Sequence, residues 1–432
     1  MASNHRIEGQ SRVLQSLARQ RIAAQRIENS GCRSAAEVVG WMGAMQAQDY
    51  AMAKWAVGLR LPGSNEEQIE TALDKGEIIR THILRPTWHL VAAADIHWML
   101  ALSSPHVKAK VKSQDHALEL NESLFERSNT IIRRALEGGK HLTRPELMTL
   151  LEEKGIRTGD TRSAYFMFRA ELDGLVCSGP RREKQFTYAL LSERVPGGRI
   201  FPREEALALL AERYFTSHGP ATIQDLAWWS GLPLKDIRTA LAAIQPALGS
   251  EKIGEQIYYY SLTASPDAAT GTTGPDAAGT STPDAAAGTP GSDAAAGTTG
   301  PDPAAGIPAL APNSGAAGED RSALSTNKRP AARSRQAHLL PAFDEYLVSY
   351  QDRSPALASS LFREVFTQNG IFKPVIVLNG QVAGTWKRTL KKDSVLIELS
   401  PFGELSKTAG QAVTSAAARY GRFLGLRAEI IT

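Results

Sequence analysis

The clearest chemistry-bearing pair in this chain is made of amides. In Trp41-Met-Gly-Ala-Met-Gln-Ala-Gln-Asp-Tyr50, Gln46 and Gln48 flank one small residue near the end of an expected helix. Two residues apart on a helix, their side chains would diverge by about 200°. Only an extended or turning backbone brings both to one side. An amide offers an acceptor and a donor but no acidic proton, so such a pair orients a polar molecule rather than titrating with it. By residue type alone, two glutamines at a helix terminus read first as surface or capping groups. Asp49 follows directly, but at the next position of an extended segment it points the other way.

The other chemistry-bearing residues form no familiar constellation. HExxH, GxSxG, a Walker A loop and a GxGxxG strand–helix junction are all missing. His82, His89 and His97 cluster in sequence without zinc-site spacing, so no metal is expected. Asp344 and Glu345, in Phe343-Asp-Glu-Tyr346, are the nearest approach to paired carboxylates and read first as a structural junction. Cys32 and Cys177 lie far apart, which excludes a disulfide framework and a Cys-rich zinc site.

The elements that must position these residues fall into several units. At about 150 residues per domain, 432 residues suggest roughly three domains. Apolar runs fall short of the ~18 residues of a membrane span, and the N-terminus lacks a signal-peptide apolar region. A cytoplasmic, nucleoid-associated protein is expected, with no membrane partner. The net charge is +4, but the stretch 261–336 carries −2 and the remainder therefore +6, a modest basic bias.

That stretch is compositionally distinct. Residues 263–336 are mostly Ala, Gly, Thr, Pro and Asp without an aromatic, and a PDAA-like unit recurs. A segment of this kind buries too little apolar surface to offset its ordering entropy, and a disordered linker is expected. Its basic end, Lys328–Arg335, reads as a solvated linker terminus.

Before the linker, three helices and a hairpin occur twice over. Thr143 and Thr222 are expected N-caps of the second helix in each set. Residues before 100 fit the plan more loosely, with helices at 13–29, 35–45 and 66–75 and strands at 77–84 and 87–91. Three helices and a two-stranded wing make a winged-helix unit. The expected fold is mainly α with β wings (α+β): winged-helix units over 1–115, 116–196 and 197–262, the linker, and a C-terminal β-rich α+β domain over 337–432. In the last, Asn379-Gly380 is the strongest short hairpin signal.

Five blocks in order give a resemblance. MQAQDYAMAKWAVGLR (45–60), LRPTWHLVAAADIHWMLAL (84–102), GPATIQDLAWWSGL (219–232), LLPAFDEYLVSYQDR (339–353) and NGIFKPVIVLNGQVAGTWKR (369–388) resemble the AlkZ-like DNA glycosylases, a tandem winged-helix family with a Gln-x-Gln motif. The resemblance implies a winged-helix triplet scaffolded by a C-terminal β-rich domain. It also implies excision of N-alkylated purines from duplex DNA, with Gln46 and Gln48 catalytic. The long linker departs from the family and is expected to loosen the C-terminal domain's attachment.

The implied chemistry suits amides. A purine alkylated at N7 or N3 is already cationic and leaves readily, so the enzyme mainly places a water against C1′. No nucleophilic Lys is evident, which points to a monofunctional enzyme, without cofactor or metal and acting as a monomer. Arg85, Thr87 and His89 alternate along the first hairpin and share a face, which the resemblance sets against DNA; an exposed polar strand face is the alternative. Arg181, Arg182 and Lys184 of the second wing, with Lys54 and Arg60 after the glutamines, are candidate backbone contacts. Trp228 and Trp229 are expected in the third unit's core. The rival reading is a non-catalytic winged-helix DNA binder or transcriptional regulator, which needs neither glutamine.

Overall fold

The computed structural model describes residues 2–263, 336–367 and 370–431. The expected linker, residues 263–336, falls almost entirely outside them. Helix α1 (Ala2–Ala24) leads in, and one order of elements then occurs three times. First come α2 (Ala35–Met42), β1 (Ala44–Gln46), α3 (Tyr50–Arg60), α4 (Glu66–Asp74), β2 (Ile78–His82) and β3 (Trp88–Ala92), followed by a long connecting helix α5 (Ile96–Ala117). Next are α6 (Glu122–Leu136), β4 (Leu142–Thr143), α7 (Arg144–Glu153), α8 (Arg162–Leu172), β5 (Val176–Ser178), β6 (Thr187–Leu190) and a short α9 (Leu191–Arg194). Last are α10 (Arg203–His218), α11 (Ile223–Ser230), α12 (Leu234–Ile244), β7 (Leu248–Ile253) and β8 (Gln256–Ser261).

The three sheets match as well. Their orders are β1-β3-β2, β4-β6-β5 and β7-β8, and in the third Ala221 bridges Tyr259 of β8 where a first strand would lie. Thr143 and Thr222 each close a capping box, with Glu146 and Asp225.

The C-terminal part comprises β9 (Ala337–Leu340), α13 (Glu345–Val348), α14 (Phe362–Val365), β10 (Val375–Leu378), β11 (Gln381–Leu390), β12 (Ser394–Pro401), α15 (Lys407–Leu424) and β13 (Arg427–Ile431). Its sheet runs β13-β12-β11-β10-β9, antiparallel except for the parallel pair β12–β13. Asn379 (φ 53°) and Gly380 (φ 84°) make the expected tight turn. The whole is mixed α and β, as expected in outline.

Two expectations are corrected. The helix expected over 35–45 stops at Met42, because Gly43 takes φ 77° and turns the chain into β1. A Cβ at Gly43 would also lie 3.3 Å from the Trp229 ring, so close packing and a positive φ both call for glycine. The C-terminal part is also not loosely attached. Trp55 of α3 donates to Leu339 O at 2.8 Å and packs edge-on to Tyr420 of α15. One hydrophobic core runs through residues of the first set, the second set and the C-terminal sheet. A second joins the first and third sets with Tyr350.

Candidate active site

The turn at Gly43 decides where the glutamines point. β1 pairs antiparallel with β3, with Gln46 opposite His89, and Ala47 N donates to Trp88 O at 2.7 Å. Ala47 is fully buried, whereas Gln46 and Gln48 on either side are half-exposed. The backbone is therefore extended here and both amides share the open face. Asp49 departs as expected: its carboxylate caps α3 by accepting from Met52 N at 3.0 Å.

This short segment is held from three directions. Gln46 N donates to Glu345 Oε1 at 2.6 Å, Ala47 N to Trp88 O, and Ala47 O accepts from Arg80 Nε at 3.1 Å. The Arg80 guanidinium also stacks over Trp88, 4.2 Å from the ring centre. Side chains complete the frame. Arg85 Nη2 donates to Gln46 Oε1 at 3.1 Å, and Trp88 N makes a long 3.4 Å bond to Gln48 Oε1.

Glu345 lies beneath the segment, 1% exposed. It also accepts from Trp229 Nε1 at 3.2 Å and from the Ser349 hydroxyl, and His218 Nε2 stands 3.9 Å away. Burial opposes its ionisation, but His218, Ser349 and the Arg85 charge outweigh burial and hold its carboxyl below the ordinary value. A buried anion thus sits behind Gln46 and a guanidinium beside it.

Arg85, Thr87 and His89 gather around this pair. Arg85 lies in the turn before β3 and His89 on β3 itself. His89 is fully buried and its Nδ1 is 2.9 Å from Thr87 O. Burial first, then the Arg85 charge, push its pKa down to about 3, so the ring is neutral at pH 7. Arg85 Nε, Thr87 Oγ1 and His89 Nε2 are each buried without a hydrogen-bond partner among the described residues. Buried polar atoms are normally satisfied, and three exceptions fall together on the hairpin beside Gln46.

The other expected DNA contacts lie elsewhere, and all but Lys184 are engaged within the protein. Arg60 is fully buried; it makes a two-pronged ion pair with Asp344, both bonds at 2.9 Å, and donates to Gln25. Lys54 is 6% exposed and pairs with Glu66 at 2.9 Å and Glu70 at 2.6 Å. Neither reaches an outer face, which corrects the expectation that both contact the DNA backbone: each is turned inward by a buried or half-buried carboxylate partner. In the second wing, Arg181 lies over the Tyr50 and Phe186 rings and its backbone N bonds Asp74 at 3.0 Å. Arg182 pairs with Glu146 at 2.7 Å, and Lys184 is exposed.

Of the tryptophans, Trp229 packs in the core joining the first and third sets. Trp228 is half-buried and donates to Val348 O at 3.0 Å. Among the described residues no three His, Cys, Asp or Glu side chains gather as a metal site. His82 bonds Glu171 at 2.8 Å and His97 bonds Val195 O at 2.8 Å. No described helix is long and apolar enough to cross a membrane.

Sequence reasoning missed three contributors: Gly43, Arg80 and Glu345 as a support. The MGA and FDEY segments were visible, but no local pattern joins Gln46 to a carboxylate 299 residues away.

Comparisons with known proteins agree with this architecture. The family described as "DNA glycosylase AlkZ-like" matches residues 39–278 and 302–423. An interstrand DNA cross-link repair glycosylase from Streptomyces sahachiroi is 26% identical over 219 residues, which span 49% of this chain and 59% of that relative. The solved structure of the Streptomyces sahachiroi DNA glycosylase AlkZ superposes with a TM-score of 0.69 at 20% identity. The superposition covers 96% of this chain and 99% of that one, a likeness of fold.

Proposed function

The chain belongs to the AlkZ-like DNA glycosylase family, and from that premise we propose that it is a monofunctional DNA glycosylase. It hydrolyses the N-glycosidic bond of cationic N-alkylated purines, N7-alkylguanine foremost, in duplex DNA, and acts as a monomer. The observation that carries the reading is the shared open face of Gln46 and Gln48, on a strand end whose backbone is fastened by Glu345, Trp88 and Arg80. The three recurring sets are read as winged-helix units that hold this face against the duplex.

The chemistry follows from the groups present. Loss of a cationic purine leaves an oxocarbenium-like sugar. The Gln46 and Gln48 carbonyls accept hydrogens from a water and aim its lone pair at C1′, while their NH₂ groups anchor sugar or phosphate. The buried Glu345 carboxylate lies on the side that favours developing positive charge. Neither amide can protonate a neutral leaving base, so unmodified purines stay in place.

The cross-link activity in the relative's name is a natural extension, because an interstrand link through N7 positions has the same cationic leaving group. The test is incubation with duplex DNA carrying N7-methylguanine and detection of abasic sites by alkali. Abasic product is expected from alkylated and not from unmodified DNA. Tight binding to one undamaged sequence without product would instead identify a regulator.

A further inference from the structure

We propose that His89 is a catalytic residue of this reaction, its Nε2 taking the proton from the water that Gln46 and Gln48 orient. The inference rests on the proposed glycosylase activity and adds the proton acceptor that two amides cannot supply.

The argument begins with the strand register. Ala47 and Trp88 form a hydrogen-bonded pair of the β1–β3 ladder, since Ala47 N donates to Trp88 O. Gln46 and His89, one step along, are therefore a non-hydrogen-bonded pair, the kind whose side chains approach most closely. Gln46 N accordingly turns out of the ladder, to Glu345. The imidazole of His89 thus stands beside the Gln46 amide.

The tautomer follows from the partner. Thr87 O, 2.9 Å from Nδ1, can only accept, so Nδ1 carries the hydrogen. Nε2 is left with a bare lone pair, and it is fully buried with no partner among the described residues. Thr87 Oγ1 and Arg85 Nε, on the same hairpin, are likewise unpartnered among the described residues. This is a preformed acceptor within a cluster of polar atoms awaiting a polar guest.

The proton count closes. The water oxygen bonds C1′ as the C1′–N bond breaks, and the bond's electron pair neutralises the cationic purine. The water's proton passes to His89 Nε2 and leaves for solvent when the product departs. A weak base suffices, because water bonding to an oxocarbenium-like carbon becomes strongly acidic. The charged and titratable groups facing the ring are Arg85 and His82, which disfavour its protonated form, and Glu345, which favours it. A neutral imidazole also adds no repulsion to a cationic base.

The experiment is single-turnover release of N7-methylguanine from duplex DNA between pH 5 and 9, by wild type, His89→Gln, His89→Ala and Gln46→Ala. DNA affinity is measured in parallel. His89→Gln can still accept a hydrogen bond but cannot take a proton. It should bind DNA within about twofold of wild type yet release base about 10²-fold more slowly, with a rate that climbs with pH where wild type is flat. Free imidazole should restore part of the His89→Ala rate, which a purely structural role would not allow.

Nitrogen-15 NMR of the wild type provides a reading independent of any variant's folding, and a hydrogen on Nε2 rather than Nδ1 overturns the proposal. Wild-type rate and pH profile in His89→Gln, with Gln46→Ala inactive, overturn it while leaving the glycosylase reading intact. Failure of the wild type to release any alkylated base removes the reading and this inference together.

Discussion

Two polar regions of this molecule look alike in sequence and differ in what their charges meet. Around α4 and the second wing, cations sit among acids. Lys54 lies between Glu66 and Glu70, Arg182 bonds Glu146, and Arg181 stands 3.9 Å from Glu70. A cleft there is lined by Glu66, Glu67, Glu70 and Asp74, a surface that repels a phosphate backbone.

Around Gln46 the balance is reversed. Among the described residues no carboxylate comes within ion-pair distance of Arg85, whose bond is to a neutral amide. Polar atoms of Arg85, Thr87 and His89 are buried unmet. A polar side chain satisfied at home holds the fold together, and a buried one left unsatisfied costs stability; among the described residues Arg181 Nε is unmet on the first side, against three neighbouring atoms around Gln46.

The comparison can be broken by substitution. The largest effect belongs to the satisfied side. Asp344→Asn strands the Arg60 guanidinium in the interior and should lower unfolding free energy by about 3–5 kcal/mol. Denaturant titration reads it, and a change below about 1 kcal/mol would show that the pair is dispensable.

On the unsatisfied side, Gln46→Ala and Gln48→Ala should each slow base release by about 10²-fold or more, roughly 2.7 kcal/mol. Folding should hardly change, and DNA affinity should fall far less than the rate. Single-turnover rates at saturating enzyme decide this, and wild-type rates would remove the amides from the chemistry.

Arg85→Met should weaken binding to alkylated duplex by about 2 kcal/mol while changing thermal stability by less, because the burial cost of the guanidinium offsets its attraction to Glu345. A loss of stability without loss of binding would move Arg85 to the satisfied side.

The pH dependence is smaller and its sign is set by His89. Its folded pKa of about 3 lies below the unfolded value of about 6.5. Between these values the unfolded chain binds the extra proton, so stability falls as pH falls through that window. His89→Gln should flatten the slope and recover about 1–2 kcal/mol at pH 5 relative to pH 8, measured by urea midpoints at both pH values.

The smallest effect is expected for Arg182→Met, whose ion pair with Glu146 is exposed on both sides. Stability should move by no more than about 1 kcal/mol, and DNA affinity, measured by fluorescence anisotropy, should not change. A clear loss of affinity would place the second wing on the duplex.

Much of this was readable in the chain. Local signals carried the caps at Thr143 and Thr222, the Asn379-Gly380 turn, the recurrence of helices and hairpin, and the Gln-x-Gln pair as a candidate. Each depends on backbone preference or periodicity over a few residues, which the sequence displays directly.

The tertiary structure alone decided the rest. It brought Trp229, from the distant α11, close enough to Gly43 at the end of α2 that a side chain there would be crowded. It set Glu345 under Gln46 N and turned Arg60 inward to Asp344. Whether a charge faces solvent, a ligand or a buried partner depends on which distant segments close around it. That is settled by burial and long-range pairing, which no short stretch of sequence encodes.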